Sequence, residues 1–374
     1  MKRRKIGDIM DERLIKLSNT IVNYSVKVKE NDRVLIQYES NMCNPLIKCL
    51  IKDIYKNKGI PFVKLIDNEL NSLIMENANS NTIDEMVKMK TYEVENFDCF
   101  IRLCYTENEY EDKNVTSNIR KELGSKSQKI DDIRINQRRW VLLNYPSVID
   151  AYKAHMTYDE FYNYSMDVMN VDYKSLNERI KPLKELMEKT DKVRILGPNT
   201  DITFSIKGLP AVPCCGNANI PDGELYTAPI KDSVNGVITY NTPSPYHGNI
   251  FNNIRLEFKD GKIISCSSTE HNDELEEIFN TDEGARYIGE FSLGFNPMIT
   301  KPMGDILYDE KIMGSLHFTP GRCYEDCDNG NISSIHWDLV LIQTEEYGGG
   351  EIYFDDVLIR KDGKFVLDNL KDLN

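Results

Sequence analysis

Apolar residues recur with two different periods along this chain of 374 residues, and the change of period divides it. In the first half, short apolar runs alternate with stretches whose apolar positions fall three and four apart. Ile9, Leu14, Leu17, Ile21 and Val22 carry helical spacing across residues 10–28. Segment 33–38 reads as a buried strand, 43–57 as a helix ended by Gly59 and Pro61, and 62–66 as the next strand. Further helical patterns lead to a strand at 99–103, a long helix at about 115–136 and a strand at 140–145 that stops before Pro146. Short apolar strands separated by helices predict parallel βαβ units.

Helices at 158–169 and 173–189 bridge to a different texture. From Lys192 onward strands and turns dominate, with strands expected at 193–196, 201–207, 234–240, 252–258, 262–267, 285–291, 334–342 and 351–359. Lys259-Asp260-Gly261 and Lys361-Asp362-Gly363 supply turn chemistry. The expected architecture is an α/β N-terminal domain of parallel βαβ units with its helical bridge (residues 1–190). An α+β, largely antiparallel C-terminal domain (191–374) follows.

Composition narrows the function. With 46 Lys and Arg against 60 Asp and Glu, the formal charge of −14 argues against nucleic acid as a partner. The tetrad Lys2-Arg3-Arg4-Lys5 reads as a solvated tail. Lys126, Lys129, Arg134, Arg138 and Arg139, mixed with Asp131 and Asp132, read as a charged helix face. No Gly-x-Gly-x-x-Gly follows the first strand and no phosphate-binding Gly-Lys-Ser/Thr loop occurs, which disfavours nucleotide binding. Nine scattered cysteines without a Cys-x-x-Cys fit reduced thiols in a cytoplasmic protein. No apolar run approaches membrane-spanning length and no signal peptide is expected.

Against this background His336-x-Asp338 draws notice. In a strand, Ile335, Trp337, Leu339 and Leu341 share one face, leaving His336 and Asp338 on the other, roughly 7 Å apart at the backbone. Imidazole with carboxylate suits Zn, Co or Mn, although a hydrogen-bonded interface histidine explains the triplet equally simply. His317 lies between Gly314 and Gly321, in a segment suited to close backbone approach. Glu224 follows a Pro-Asp-Gly turn and reads as a turn cap or a ligand. Glu290 stands in an apolar strand, where it needs Arg286, another donor or a cation. His155, His247 and His271 read as helix, loop or capping residues, and Cys214-Cys215 as buried small hydrophobes.

Several dispersed blocks agree with one family. Pro221-Asp222-Gly223-Glu224, Gly289-Glu290, Asp309-Glu310-Lys311-Ile312 through His317 to Tyr324, Ile335-His336-Trp337-Asp338 and Gly349–Gly363 resemble, in order and type, the M29 metallopeptidases of the aminopeptidase T group. The likeness is weaker through Arg139-Trp140-Val141 and Tyr145-Pro146. It implies a two-domain, homodimeric metal-dependent aminopeptidase that takes peptides with a free N-terminus, with two divalent metal ions in the C-terminal domain. Carried over block by block, Glu224, Glu290, His317, His336 and Asp338 correspond to metal ligands, Glu290 bridging, and Tyr324 to the catalytic tyrosine. The loop 325–334 reads as shorter than in relatives, which bears on the entrance to the site. Two such ions about 3.5–4 Å apart share a water and lower its pKa, and a phenol suits a developing oxyanion. Glu310 is the candidate general base, with a surface ion pair to Lys311 as the alternative. Another small amide or ester as substrate, or a degenerate binding protein, are the competing functions.

Overall fold

In the computed structural model, which describes residues 11–246 and 248–374, the hydrophobic strand Arg33–Tyr38 lies inside a five-stranded parallel sheet. The basic tetrad, Ile9 and His247 lie outside the described residues. Arg33–Tyr38 pairs with Ile60–Leu65 on one side and Cys99–Cys104 on the other, and Arg139–Asn144 and Asn219–Ile220 extend the sheet. Helices Asn44–Lys56, Ser80–Asn96 and Ser117–Gln137 alternate with the strands, as the hydrophobic pattern requires. The expected helix 10–28 begins at an Asp11 cap, runs as Glu12–Thr20 and widens to a π-turn over Ile21–Ser25.

By contacts the chain forms two units: residues up to Asn170 with Gly216–Ile220, and Val171–Cys215 with Pro221–Asn374. The division falls near 170, where texture alone placed it near 190. The helices Tyr173–Arg179 and Lys181–Lys189 account for the difference. They resemble the first half in pattern, yet Arg179 Nη1 donates to Asp372 O (2.7 Å) within the second unit. Pro182, in the first turn of the second helix, explains why one expected helix becomes two.

The second unit is built on two antiparallel sheets. Eight strands in the order 262–267, 255–259, 235–239, 200–205, 192–197, 351–354, 357–361 and 364–365 make the larger. The smaller runs Val340–Ile342, Ser315–Pro320, Ile288–Gly294, Glu224–Thr227 and Val212–Cys214. An aromatic layer joins them: Phe204 of the larger sheet lies 5.0 Å from Phe291 and 4.9 Å from Phe318, ring centre to ring centre. Because side chains alternate, Phe291 and Phe318 facing this core turn Glu290, Ser292, His317 and Thr319 to the opposite face.

Two expectations need correction here. Ser315–Pro320 is a full strand, although polar His317 and Thr319 and the closing Pro320 mask it in the sequence. Conversely, of the expected strand 334–342 only Val340–Ile342 qualifies, with an isolated bridge between His336 and Gly321. The backbone between is extended all the same. Arg322 N donates to Ile335 O (2.7 Å), Trp337 N to Pro320 O (3.1 Å) and Phe318 N to Leu339 O (3.1 Å). Among the described residues no helix is long and apolar enough to cross a membrane.

Candidate metal centre

The polar face of the smaller sheet gathers the residues singled out from sequence. Ladder register sets Glu290 opposite Thr319, Ser292 opposite His317, and Gly294 opposite Glu224. Gly294 is needed there, since a Cβ would meet Ser315 Oγ at 2.6 Å and Glu310 O at 2.9 Å. Gly321 (φ +107°) likewise admits the neighbouring chain, as a Cβ would stand 2.1 Å from Ile335 O. That approach brings in His336 and Asp338. The alternation holds: Trp337 stacks on Tyr246 at 4.5 Å and packs against Phe251 at 5.2 Å, while His336 and Asp338 turn together toward Glu290.

Two donor sets share one carboxylate. Glu224, Glu290 and His317 form one, and Glu290, His336 and Asp338 the other, with ligand atoms in each set within 4.8 Å of one another. His317 Nε2 lies 3.0 Å from Glu290 Oε1 and 3.5 Å from Glu224 Oε2. His336 Nε2 lies 3.4 Å from Glu290 Oε2 and 3.2 Å from Asp338 Oδ1. Each imidazole is oriented from behind. His317 Nδ1 is 3.3 Å from Glu310 O and His336 Nδ1 2.7 Å from Arg322 O, so both Nδ1–H groups donate to main chain and both Nε2 atoms face the carboxylates. Ser292 Oγ donates to Glu224 Oε2 (2.9 Å), and Thr319 Oγ1 to Asp338 Oδ1 (2.7 Å).

Lys311 completes the charge pattern. It is 0% exposed, pairs with Glu310 Oε1, and has its Nζ 3.5 Å from Glu224 Oε1. Burial opposes its charge, but Glu224 and Glu310 override this and keep it an ammonium. Burial also pushes Glu310 up to about 8, with Lys311 opposing. For His317 burial works against protonation, yet Glu224 and Glu290 raise it to about 10, and His336 is raised by Asp338 and Glu290. Burial is likewise overridden at Glu290 and Asp338, which the two imidazoles hold below the usual carboxylate range.

The donor set fits divalent cations. With the Lys311–Glu310 pair neutral, three carboxylates, one of them shared, face two Nε2 atoms; two divalent ions would leave a net charge of about +1. His336 Nε2 is buried between Asp338 and Glu290 without a well-aligned hydrogen bond to either, a donor atom that a metal would satisfy.

All seven candidates from sequence therefore sit in or beside one cluster, with the half-exposed Tyr324 ring 4.8 Å from the His336 ring. Glu310 is ion-paired with Lys311, as the alternative reading had it, but not at the surface: Lys311 is fully buried and the Glu310 side chain 13% exposed. Lys311, Ser292 and Thr319 were missed. Ser292 and Thr319 had a signal, each standing two residues along a strand from a candidate ligand. Lys311 had none beyond its place in the shared block.

Known proteins resemble this chain in sequence and in fold. The profile described as thermophilic metalloprotease (M29) matches residues 10–365. The chain is 31% identical to aminopeptidase 2 of Geobacillus stearothermophilus over 166 residues, covering 40% of this chain and 38% of that one. It is 42% identical to aminopeptidase AmpS of Bacillus subtilis over 76 residues, 20% and 18% of the two chains. With aminopeptidase T of Thermus thermophilus it shares 28% over 155 residues, 37% of each. These matched stretches span less than half the length of each curated relative. In fold it resembles wild-type AmpT from Thermus thermophilus, with a TM-score of 0.79, 17% identity, and coverage of 95% of this chain and 99% of that one. With a profile match over nearly its whole length, the chain belongs to the thermophilic metalloprotease (M29) family.

Proposed function

We propose that this chain is a metal-dependent aminopeptidase that holds two divalent ions, Zn, Co or Mn, and removes the first residue from peptides with a free N-terminus. The observation that carries the reading is the Glu290 carboxylate, which faces both imidazoles, 3.0 Å from His317 Nε2 and 3.4 Å from His336 Nε2, and so would serve both ions. Relatives named as aminopeptidases support the substrate class. In this reading Glu224 and His317 complete one ion's ligands, and His336 and Asp338 the other's. When bound, the ions supply Lewis acidity that activates water and polarises the scissile carbonyl.

The chain's own groups then divide the remaining work. Carbonyls of Glu310 and Arg322 fix the tautomers of His317 and His336. Tyr324 donates its phenolic hydrogen to the oxygen that becomes negative at the attacked carbon. Glu310, ion-paired with Lys311 beside the donor cluster, is placed as a carboxylate to take a proton and return it to the leaving amine.

The deciding experiment is elemental analysis combined with turnover of aminoacyl chromogenic amides and their N-acetylated counterparts. Two equivalents of metal, with cleavage only of the free-amine substrates, are expected. Two equivalents with no amide turnover would redirect the site to another amide or ester, and absence of both metal and turnover would leave a degenerate binding protein. Chelation should abolish turnover, and Zn²⁺, Co²⁺ or Mn²⁺ should restore it. Tyr324→Phe should keep both metals while lowering kcat by about 100-fold or more, the scale of one lost oxyanion donor. Unchanged kcat in that variant would remove Tyr324 from the chemistry. The proposal extends to a cytoplasmic homodimer. Nine free cysteines support the reducing compartment, family resemblance supports the dimer, and light scattering checks it.

A further inference from the structure

Tyr324 sits between two aromatic neighbours, 4.8 Å from the His336 ring and 5.6 Å from the ring of Tyr226. Tyr226 is buried on the strand Glu224–Thr227, and its hydroxyl lies 2.8 and 2.9 Å from the two carboxylate oxygens of Asp326. Asp326 belongs to the 3-10 turn Glu325–Cys327, and Tyr324 is the residue that opens that turn. Cys327 ties the turn down a second time. Its amide donates to Tyr324 O (3.1 Å), and its thiol donates to Pro210 O (3.3 Å) and lies 3.5 Å from Thr227 Oγ1. Tyr226 and Cys327 share an apolar cluster with Leu209, Val212 and Cys214.

We propose that the Tyr226–Asp326 hydrogen bond is a latch that positions Tyr324 against the metal centre, Tyr226 and Asp326 being positioning residues for the reaction. The inference rests on the reading of Tyr324 as the proton donor. Three features carry it. Tyr324 is 47% exposed, so packing alone does not hold its ring, and any rotation of the turn that it opens carries its hydroxyl away. A phenol shared between both oxygens of a carboxylate is a charge-assisted, directional tie, and Asp326 makes no ion pair among the described residues that would explain its charge otherwise. Finally, Tyr226 stands two residues after Glu224 on one strand and therefore on the same face. Proton donor and metal ligand are thus referenced to a single stretch of backbone, and an error of about 1 Å between them is worth up to roughly 100-fold in rate.

The test uses the metal-loaded enzyme and an aminoacyl chromogenic amide. Tyr226→Phe, Asp326→Ala and Asp326→Asn are made in the native chain and in Tyr324→Phe. Tyr226→Phe and Asp326→Ala should each lower kcat roughly 10- to 100-fold with KM within about twofold of native. Metal content should stay at its native value. Asp326→Asn, which keeps an oxygen for the hydroxyl, should recover most of the loss, and the exposed position of Asp326 keeps its variants foldable. In the Tyr324→Phe background none of the changes should lower kcat further, because the latch acts only through that phenol. Native kcat in Tyr226→Phe, or an undiminished further loss in the Tyr324→Phe background, overturns the latch while leaving Tyr324 as donor. Native kcat in Tyr324→Phe alone overturns the donor reading, and the latch with it.

Discussion

Glu290→Gln should drop the bound metal from two equivalents to one at most and lower kcat/KM by on the order of 1,000-fold, about 4 kcal/mol of transition-state stabilisation. The substitution keeps the shape of the side chain and removes only its charge. Glu290 is the single residue common to both donor sets, so neither ion retains its full complement of ligands. Its two oxygens lie 3.0 Å from His317 Nε2 and 3.4 Å from His336 Nε2, and an amide offers one acceptor where the carboxylate offers two. Elemental analysis with steady-state kinetics checks the result. Two tightly bound equivalents and native turnover would show that the ligands do not meet at Glu290.

Lys311→Met is expected to have the largest effect on stability. It removes a fully buried ammonium and leaves Glu224 and Glu310 without their cation. Breaking a buried pair from one side costs about 3–5 kcal/mol, to be read from urea unfolding of chelated protein. The pH dependence has a definite sign. Burial already lifts Glu310 to about 8 in the native chain, and losing Lys311 removes the main opposing influence and lifts it further. A carboxyl raised on folding contributes stability below its unfolded value, about 4.3, and that stability disappears as pH rises through the folded value. The variant should therefore be closest to native stability at low pH and fall behind it as pH rises toward and beyond 8. Divalent ions should recover part of the loss by neutralising Glu224. A variant as stable as native at pH 8 without metal would mean that Lys311 does not balance the cluster.

Much of this molecule is legible in its sequence, and what is not has physical causes. The parallel half announced itself because its inner strands Arg33–Tyr38 and Cys99–Cys104 are largely buried and read as apolar runs, and the exposed edge strand Ile60–Leu65 is apolar too. Strand Ser315–Pro320 was hidden because one of its faces is polar and functional: His317 and Thr319 alternate with Leu316 and Phe318 and dilute the hydrophobic run that marks a buried strand. The extended run around His336 and Asp338 was overextended as a strand, since pairing there is interrupted although the alternation persists. The ligands themselves were found through blocks of residues recognisable together. Ser292 and Thr319 follow from the alternation once the strands are known. Lys311 could not be found in this way, because a lysine is read as exposed unless something shows what it pairs with.

The carbonyls behind His317 and His336 carry one more consequence. Many metal sites orient their imidazoles through a second carboxylate, which a single codon change can delete. Here the groups that hold both rings, Glu310 O and Arg322 O, belong to the main chain and are present whatever side chains those positions carry. The aim of the two rings is thus shielded from ordinary point mutation. It remains sensitive to insertions, deletions and proline, which shift or bend the backbone itself. Natural variation around this centre should accordingly be permissive in side-chain identity at position 322, with changes of length confined to the loop 325–334 and excluded from the paired backbone at Gly321–Arg322 and Ile335–His336.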